Sequence, residues 1–172
     1  MKRKGEPTLS RRPLLFQLDL QVATEGEGLP APEQVSTWIR AVLSERMEQA
    51  EVTIRIVGES EAAALNRRYR GRRGPTNVLA FPFEAAVRLE VPLLGDIVIC
   101  APVVQREAEE QRKDAQAHWA HMVVHGTLHL LGYDHHTPLQ AHQMESLEQT
   151  VLATLGFPNP YAEASTSWPK IM

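Results

Sequence analysis

Three histidines, His125, His129 and His135, lie in the run His125-Gly126-Thr127-Leu128-His129-Leu130-Leu131-Gly132-Tyr133-Asp134-His135. Their spacing is H-x3-H-x2-G-x2-H. Three neutral imidazoles can hold a metal ion and leave a fourth position open, which is what separates a catalytic metal from a structural one. Imidazole suits zinc, copper, iron or nickel, and zinc is the default expectation. The same spacing occurs in the long zinc-protease signature H-E-x-x-H-x-x-G-x-x-H, where the glutamate is the general base. Here that position is Gly126. Peptide hydrolysis by that route loses its base, while the metal cage remains, and zinc still acidifies water to a pKa of about 7.

The second chemical feature is Arg67-Arg68-Tyr69-Arg70-Gly71-Arg72-Arg73, five arginines in seven positions. No acidic residue stands between Glu61 and Glu84. The guanidinium fork matches phosphate, and an interleaved tyrosine can stack on a base. The blander account is a solvated helix end favoured by the helix dipole. Beside a hydrolytic metal, the arginines point to cleavage of a phosphodiester, with the metal polarising a phosphoryl oxygen. The residues alone therefore imply a metal-dependent hydrolase acting on nucleic acid.

These groups need elements that position them. Trp119, Met122, Val123, Leu130 and Leu131 recur at helical spacing, so His125 and His129 share one face, one turn apart. Gly132 suits the left-handed stop of that helix, and the turn returns His135 toward the pair. Asp114 is placed to cap the helix. Upstream, Phe16, Leu18, Leu20 and Val22 alternate with polar residues as a strand, as do Val52, Ile54 and Ile56. Val78–Phe81 and Ile97–Ile99 read as two more strands. Pro32 opens a helix whose stripe is Val35, Trp38, Ile39, Val42 and Leu43. Ser60 is the expected cap of a short helix that exits at Gly71. Pro102 to Gln111 forms a further helix. Thr137-Pro138-Leu139-Gln140 combines a capping box with proline at the first helical position, and that helix runs through Met144, Leu147 and Val151 to Gly156. The pattern is an α+β single domain, a sheet of roughly four strands packed with helices. The domain is expected over residues 12–160, with residues 1–11 and 161–172 as flexible tails.

Composition agrees with a folded globular chain: 172 residues, 43% hydrophobic, 23% charged, net charge −3. The single cysteine, Cys100, sits in an apolar run and reads as a small buried hydrophobe in a reducing compartment. No signal-peptide core and no membrane-length apolar stretch occurs, so a cytoplasmic protein is expected, with no membrane partner.

The histidine run resembles the signature H-G-x-L-H-L-x-G-Y-D-H of the bacterial YbeY proteins. Leu65-Asn66-Arg67-Arg68-Tyr69-Arg70 and Pro75-Thr76-Asn77-Val78-Leu79-Ala80-Phe81-Pro82 resemble that family's L-N-x-x-Y-R and T-[DN]-V-L-S-F-P blocks, and Leu94-Gly95-Asp96-Ile97-Val98-Ile99 its L-G-D-I-V-I stretch. The similarity spans about residues 50 to 160. Ala80 replaces the usual serine, and Gly74 precedes Pro75 where an acidic residue is common nearby.

The resemblance implies a small metallohydrolase-like fold with its metal site on a helix of the C-terminal half and the following turn. It implies a single-strand-specific, zinc-dependent endoribonuclease acting in maturation of the 3′ end of small-subunit (16S) rRNA and in ribosome quality control. Its partners would be single-stranded RNA, the rRNA precursor, the small subunit and ribosome-assembly proteins, with no role for DNA. His125, His129 and His135 would bind one zinc ion, and Arg70 would be the functional arginine, contacting phosphate or transition-state charge.

Two other functions compete: an RNA-binding assembly factor with a structural zinc, and a zinc peptidase lacking its usual glutamate. Among the remaining residues, His118 and His121 are expected to decorate a partly exposed helix face, and His136 and His142 the surface. Asp134 either orients a ligand imidazole or holds the turn. Asp96 reads as structural, and Glu107, Glu109 and Glu110 as a solvated face.

Overall fold

A computed structural model describes residues 13–83 and 93–161. Of the expected tails, 1–11 and 161–172, all but Tyr161 lie outside the described residues. The elements are β1 (Leu15–Val22), α1 (Pro32–Leu43), β2 (Gln49–Val57), α2 (Glu59–Arg70), β3 (Val78–Pro82), β4 (Leu93–Cys100), α3 (Ala101–Glu110), α4 (Ala115–Leu130) and α5 (Pro138–Thr154). The four strands form one mixed sheet in the order β1-β2-β4-β3. β1, β2 and β4 are parallel, and β3 returns antiparallel along β4.

Alternation along β2 sends Ala50, Val52, Ile54 and Ile56 to one face, where they are buried against Val35, Ile39 and Val42 of α1 and Val123, Val124 and Leu128 of α4. Ile97 and Ile99 of β4 join that core, and α5 closes it with Met144, Val151 and Leu152. A smaller core on the other face joins Leu79, Val98 and Cys100 to Ala62 of α2 and Val103 of α3. At the sheet edge, Phe16, Leu18 and Leu20 of β1 are half-buried, whereas Val22, expected on the same face, is exposed. Cys100 is buried, as its apolar run requires.

Local chemistry sets the helix limits. Asp114 accepts from the Ala117 amide at 3.0 Å and starts α4. Thr137 and Gln140 form the capping box of α5, with Pro138 in its first turn. One expected cap is corrected: α2 begins at Glu59 after Gly58, so Ser60 lies inside the helix instead of capping it. The fold accommodates Gly58 for a steric reason, since a Cβ there would lie 3.3 Å from the Thr24 hydroxyl.

Candidate metal centre

α4 ends at Leu130, and Gly132 follows with φ of +104°, the left-handed region that glycine favours. The Gly132 amide donates to the His129 carbonyl at 2.9 Å and the Tyr133 amide to the Leu128 carbonyl at 3.1 Å, closing the helix end. The chain then doubles back. Asp134 accepts from the His135 amide at 2.8 Å, and its other oxygen lies 3.0 Å from His136 Nε2. Asp134 therefore braces the turn through the His135 main chain, and the imidazole it contacts is that of exposed His136.

The result is convergence. His125, His129 and His135 each offer a ring nitrogen, and these atoms all lie within 4.8 Å of one another. The His125 and His129 rings are 4.7 Å apart between centroids, and His135 stands 5.1 Å from His129 and 5.7 Å from His125. Burial, then the neighbouring His125 and His135, push the His129 pKa down to about 4, so its imidazole is neutral at physiological pH. Three converging imidazole donors fit a divalent metal ion of the zinc class.

The site opens into a cavity of about 630 Å³. Its walls include all three histidines, Gly126 and Gly132, Tyr69 and Arg70 from α2, and Thr76 to Pro82 along β3 and its approach. Of the five arginines, Arg70 alone is among the residues lining this cavity. It is exposed at the end of α2, which stops at Gly71 with φ of +67°. Asn66, buried one turn earlier, donates from Nδ2 to the Gly74 carbonyl at 2.8 Å and ties the arginine loop to the helix. A hollow of about 670 Å³ elsewhere, over Asp19, Glu51, Thr53 and Asp96, is lined by neither histidine nor arginine.

Two expectations about neighbouring residues are corrected. His118 and His121 are buried, at 3% and 7% exposure, because α4 is covered on that side by α3 and α5. Glu107 is half-buried and not a solvated residue: it accepts from His118 Nε2 at 2.9 Å and from Asn77 Nδ2 at 3.1 Å. The partnership anchors the segment before β3 to α3 and α4. His136 and His142 are exposed, as expected.

The residue that sequence reasoning missed is Glu148 on α5, which has no exposed surface. One carboxylate oxygen lies 2.5 Å from His125 Nδ1 and the other 2.9 Å from His121 Nε2, and the latter also accepts from the Tyr161 hydroxyl. Tyr161 stands where the tail was expected to begin, yet it reaches this network. Burial opposes the charge on Glu148, but the hydrogen bonds from His121 and His125 overcome it and hold the carboxyl at about 2. Burial and the same carboxylate push the Tyr161 phenol up. A signal for Glu148 existed: it follows Met144 by four positions and precedes Leu152 by four, so it sits on the apolar stripe of α5.

No helix among the described residues is long and apolar enough to cross a membrane. The chain is similar to TM1509 from Thermotoga maritima, known from a solution structure, at 25% sequence identity and a TM-score of 0.53, over 79% of this chain and 91% of that one. Residues 21–156 match the family described as Endoribonuclease YbeY. With the match covering most of its length and the histidine cluster at the cavity, the chain belongs to the YbeY endoribonuclease family, whose members are hydrolases that process rRNA.

Proposed function

We propose that this protein is a zinc-dependent, single-strand-specific endoribonuclease that matures the 3′ end of 16S rRNA and serves ribosome quality control in the cytoplasm. Its working unit is the domain at 12–160, and its partners are precursor rRNA, the small subunit and assembly proteins. The observation that carries this reading is the convergence of His125, His129 and His135 on a cavity that also holds Arg70. Family membership supports RNA as the substrate.

His125, His129 and His135 hold the metal. The ion supplies Lewis-acid polarisation of the scissile phosphate and acidifies water. Arg70 neutralises the phosphate that enters the cavity and stabilises charge developing on its oxygens. Tyr69, 55% exposed beside Arg70, offers a ring face to an unpaired base. A base held in a duplex cannot reach that ring, which accounts for the preference for single strands.

The test is cleavage of a single-stranded RNA and of the matching duplex by purified protein, with metal content measured in parallel. Cleavage of the single strand that disappears with a chelator, returns with zinc and is absent in His125→Ala is expected. Cleavage that persists in the chelator and in His125→Ala, once contaminating nucleases are excluded, would overturn the proposal.

A further inference from the structure

We infer that Glu148 is a positioning residue for the metal centre, holding His125 in the tautomer that carries its proton on Nδ1 and so presenting Nε2 to the cation. The inference rests on reading His125, His129 and His135 as metal ligands, and it assigns a role to a residue outside that set.

Glu148 has no exposed surface and lies on the stripe of α5 that packs into the main core between Met144 and Leu152. A leucine at that position would bury without penalty, whereas a carboxylate taken out of water loses its hydration. Buried carboxylates persist where donors converge on them. Here the donors divide between the two oxygens. One oxygen takes His121 Nε2 at 2.9 Å and the Tyr161 hydroxyl. The other takes His125 Nδ1 alone, at 2.5 Å. A core tie needs only the first oxygen. The second is committed to a residue that lines the cavity.

The consequence follows from the imidazole itself. A neutral ring has one protonated nitrogen and one lone pair, and the acceptor at one nitrogen decides which is which. A carboxylate oxygen seated on Nδ1 is an acceptor there, so the contact favours the tautomer with the proton on Nδ1 and the lone pair on Nε2. Without the carboxylate the proton is free to occupy Nε2, where it blocks ligation. The same oxygen restrains ring rotation on a helix whose end, at Gly132, already fixes the direction of return to His135. Carboxylates placed behind ligand histidines in this way change metal affinity by 10- to 100-fold when removed.

The experiment combines zinc affinity, by competition with a chromophoric chelator, with the nitrogen-15 shifts of the His125 ring in metal-free protein. Wild type is expected to show Nδ1–H on His125. Glu148→Gln, which keeps the volume, is expected to bind zinc about 10- to 100-fold more weakly and to shift His125 toward Nε2–H. Tyr161→Phe removes a donor from the other oxygen, so it is expected to lower thermal stability and leave zinc affinity within about threefold, since the His125 bond survives. If Tyr161→Phe weakens zinc as much as Glu148→Gln, the network is only a core tie and the inference fails. It also fails if Glu148→Gln binds zinc like wild type. Should Glu148→Gln not fold, the wild-type spectrum decides: Nε2–H on His125 overturns the inference. A wild-type protein that takes up no zinc while showing Nδ1–H would instead overturn the ligand assignment.

Discussion

Arg70 differs from its neighbours in place, not in type. Arg67, Arg68 and Arg70 all lie in the last turn of α2, where the helix dipole favours cations, but only Arg70 lines the histidine cavity. Arg68 lies 5.3 Å from the Tyr69 ring centre, and the Tyr69 ring meets Phe81 edge-on at 5.1 Å, so two neighbours restrain the aromatic side chain beside Arg70. Arg70→Ala should therefore lower kcat/KM on single-stranded RNA by about 10²–10³, the range seen when a preorganised charge donor is removed, with zinc content unchanged. Arg70→Lys should recover only part of that loss, because a point charge replaces a fork. Zinc occupancy falling in step with activity would contradict the assignment. At this scale the sequence was legible where residue type and spacing together encode chemistry: three histidines and a glycine within one helix turn and its exit. It was not legible where function depends on burial by a distant segment. Glu148 lies 23 residues from His125, and nothing in one dimension says that α5 packs behind α4. His118 and His121 looked exposed for the same reason.

At the scale of elements, α4 is both core and site. Gly126, between His125 and His129, faces the sheet: a Cβ there would lie 3.0 Å from Ile97 Cγ2 and 3.2 Å from its Cδ1. A side chain at this position would have to displace Ile97 of β4, so glycine in place of the protease glutamate suits the close packing of α4 on the sheet. Gly126→Glu should unfold or destabilise the protein by more than about 3 kcal/mol, through overpacking and an unpaired buried charge. A denaturant midpoint like wild type would show that α4 can move off β4. The strand and helix pattern was readable because each element buries one face at its own period. Val22 departs from its stripe at the last position of β1, an edge strand, where it does not join Phe16, Leu18 and Leu20 against the main core, a tertiary fact. Glu107 links elements in the same way, joining α3 to α4 through His118 and to the approach of β3 through Asn77. Burial opposes its charge, but the hydrogen bonds from His118 and Asn77 hold its carboxyl below the ordinary 4.5. The unfolded chain therefore binds this proton more readily than the folded one, so the stability Glu107 confers is present above about pH 4.5 and is lost as pH falls through the folded value. In urea titrations of metal-free protein, Glu107→Gln should flatten the decline of the midpoint below pH 4.5. A slope identical to wild type would mean that the interaction does not outlast solvent competition.

Across the whole molecule, the histidine cluster and the main core are separate. The main core joins α1, α4 and α5 to the sheet through Val35, Ile39, Ile54, Ile97, Val123, Leu128 and Leu152, all without exposed surface, or nearly so. The three clustered histidines lie outside it, half-buried or exposed at the cavity wall. In small zinc domains the metal substitutes for a missing core, and removing it unfolds the chain. Here the core is present without it, and α4 is capped at both ends by its own Asp114 and Gly132 contacts. Chelation should therefore abolish cleavage and lower the Tm, yet leave the far-UV circular dichroism at 25 °C essentially unchanged. The Tm change follows mass action: zinc at 1,000 times its Kd adds about 4 kcal/mol to the folded state, so the midpoint should rise with free zinc along one linkage curve. Loss of helical signal on chelation at 25 °C would instead favour a structural zinc and the assembly-factor reading. Metal-free protein that keeps its fold but still binds single-stranded RNA would place RNA affinity in the arginine face, and would leave bond cleavage as the step that needs the histidines.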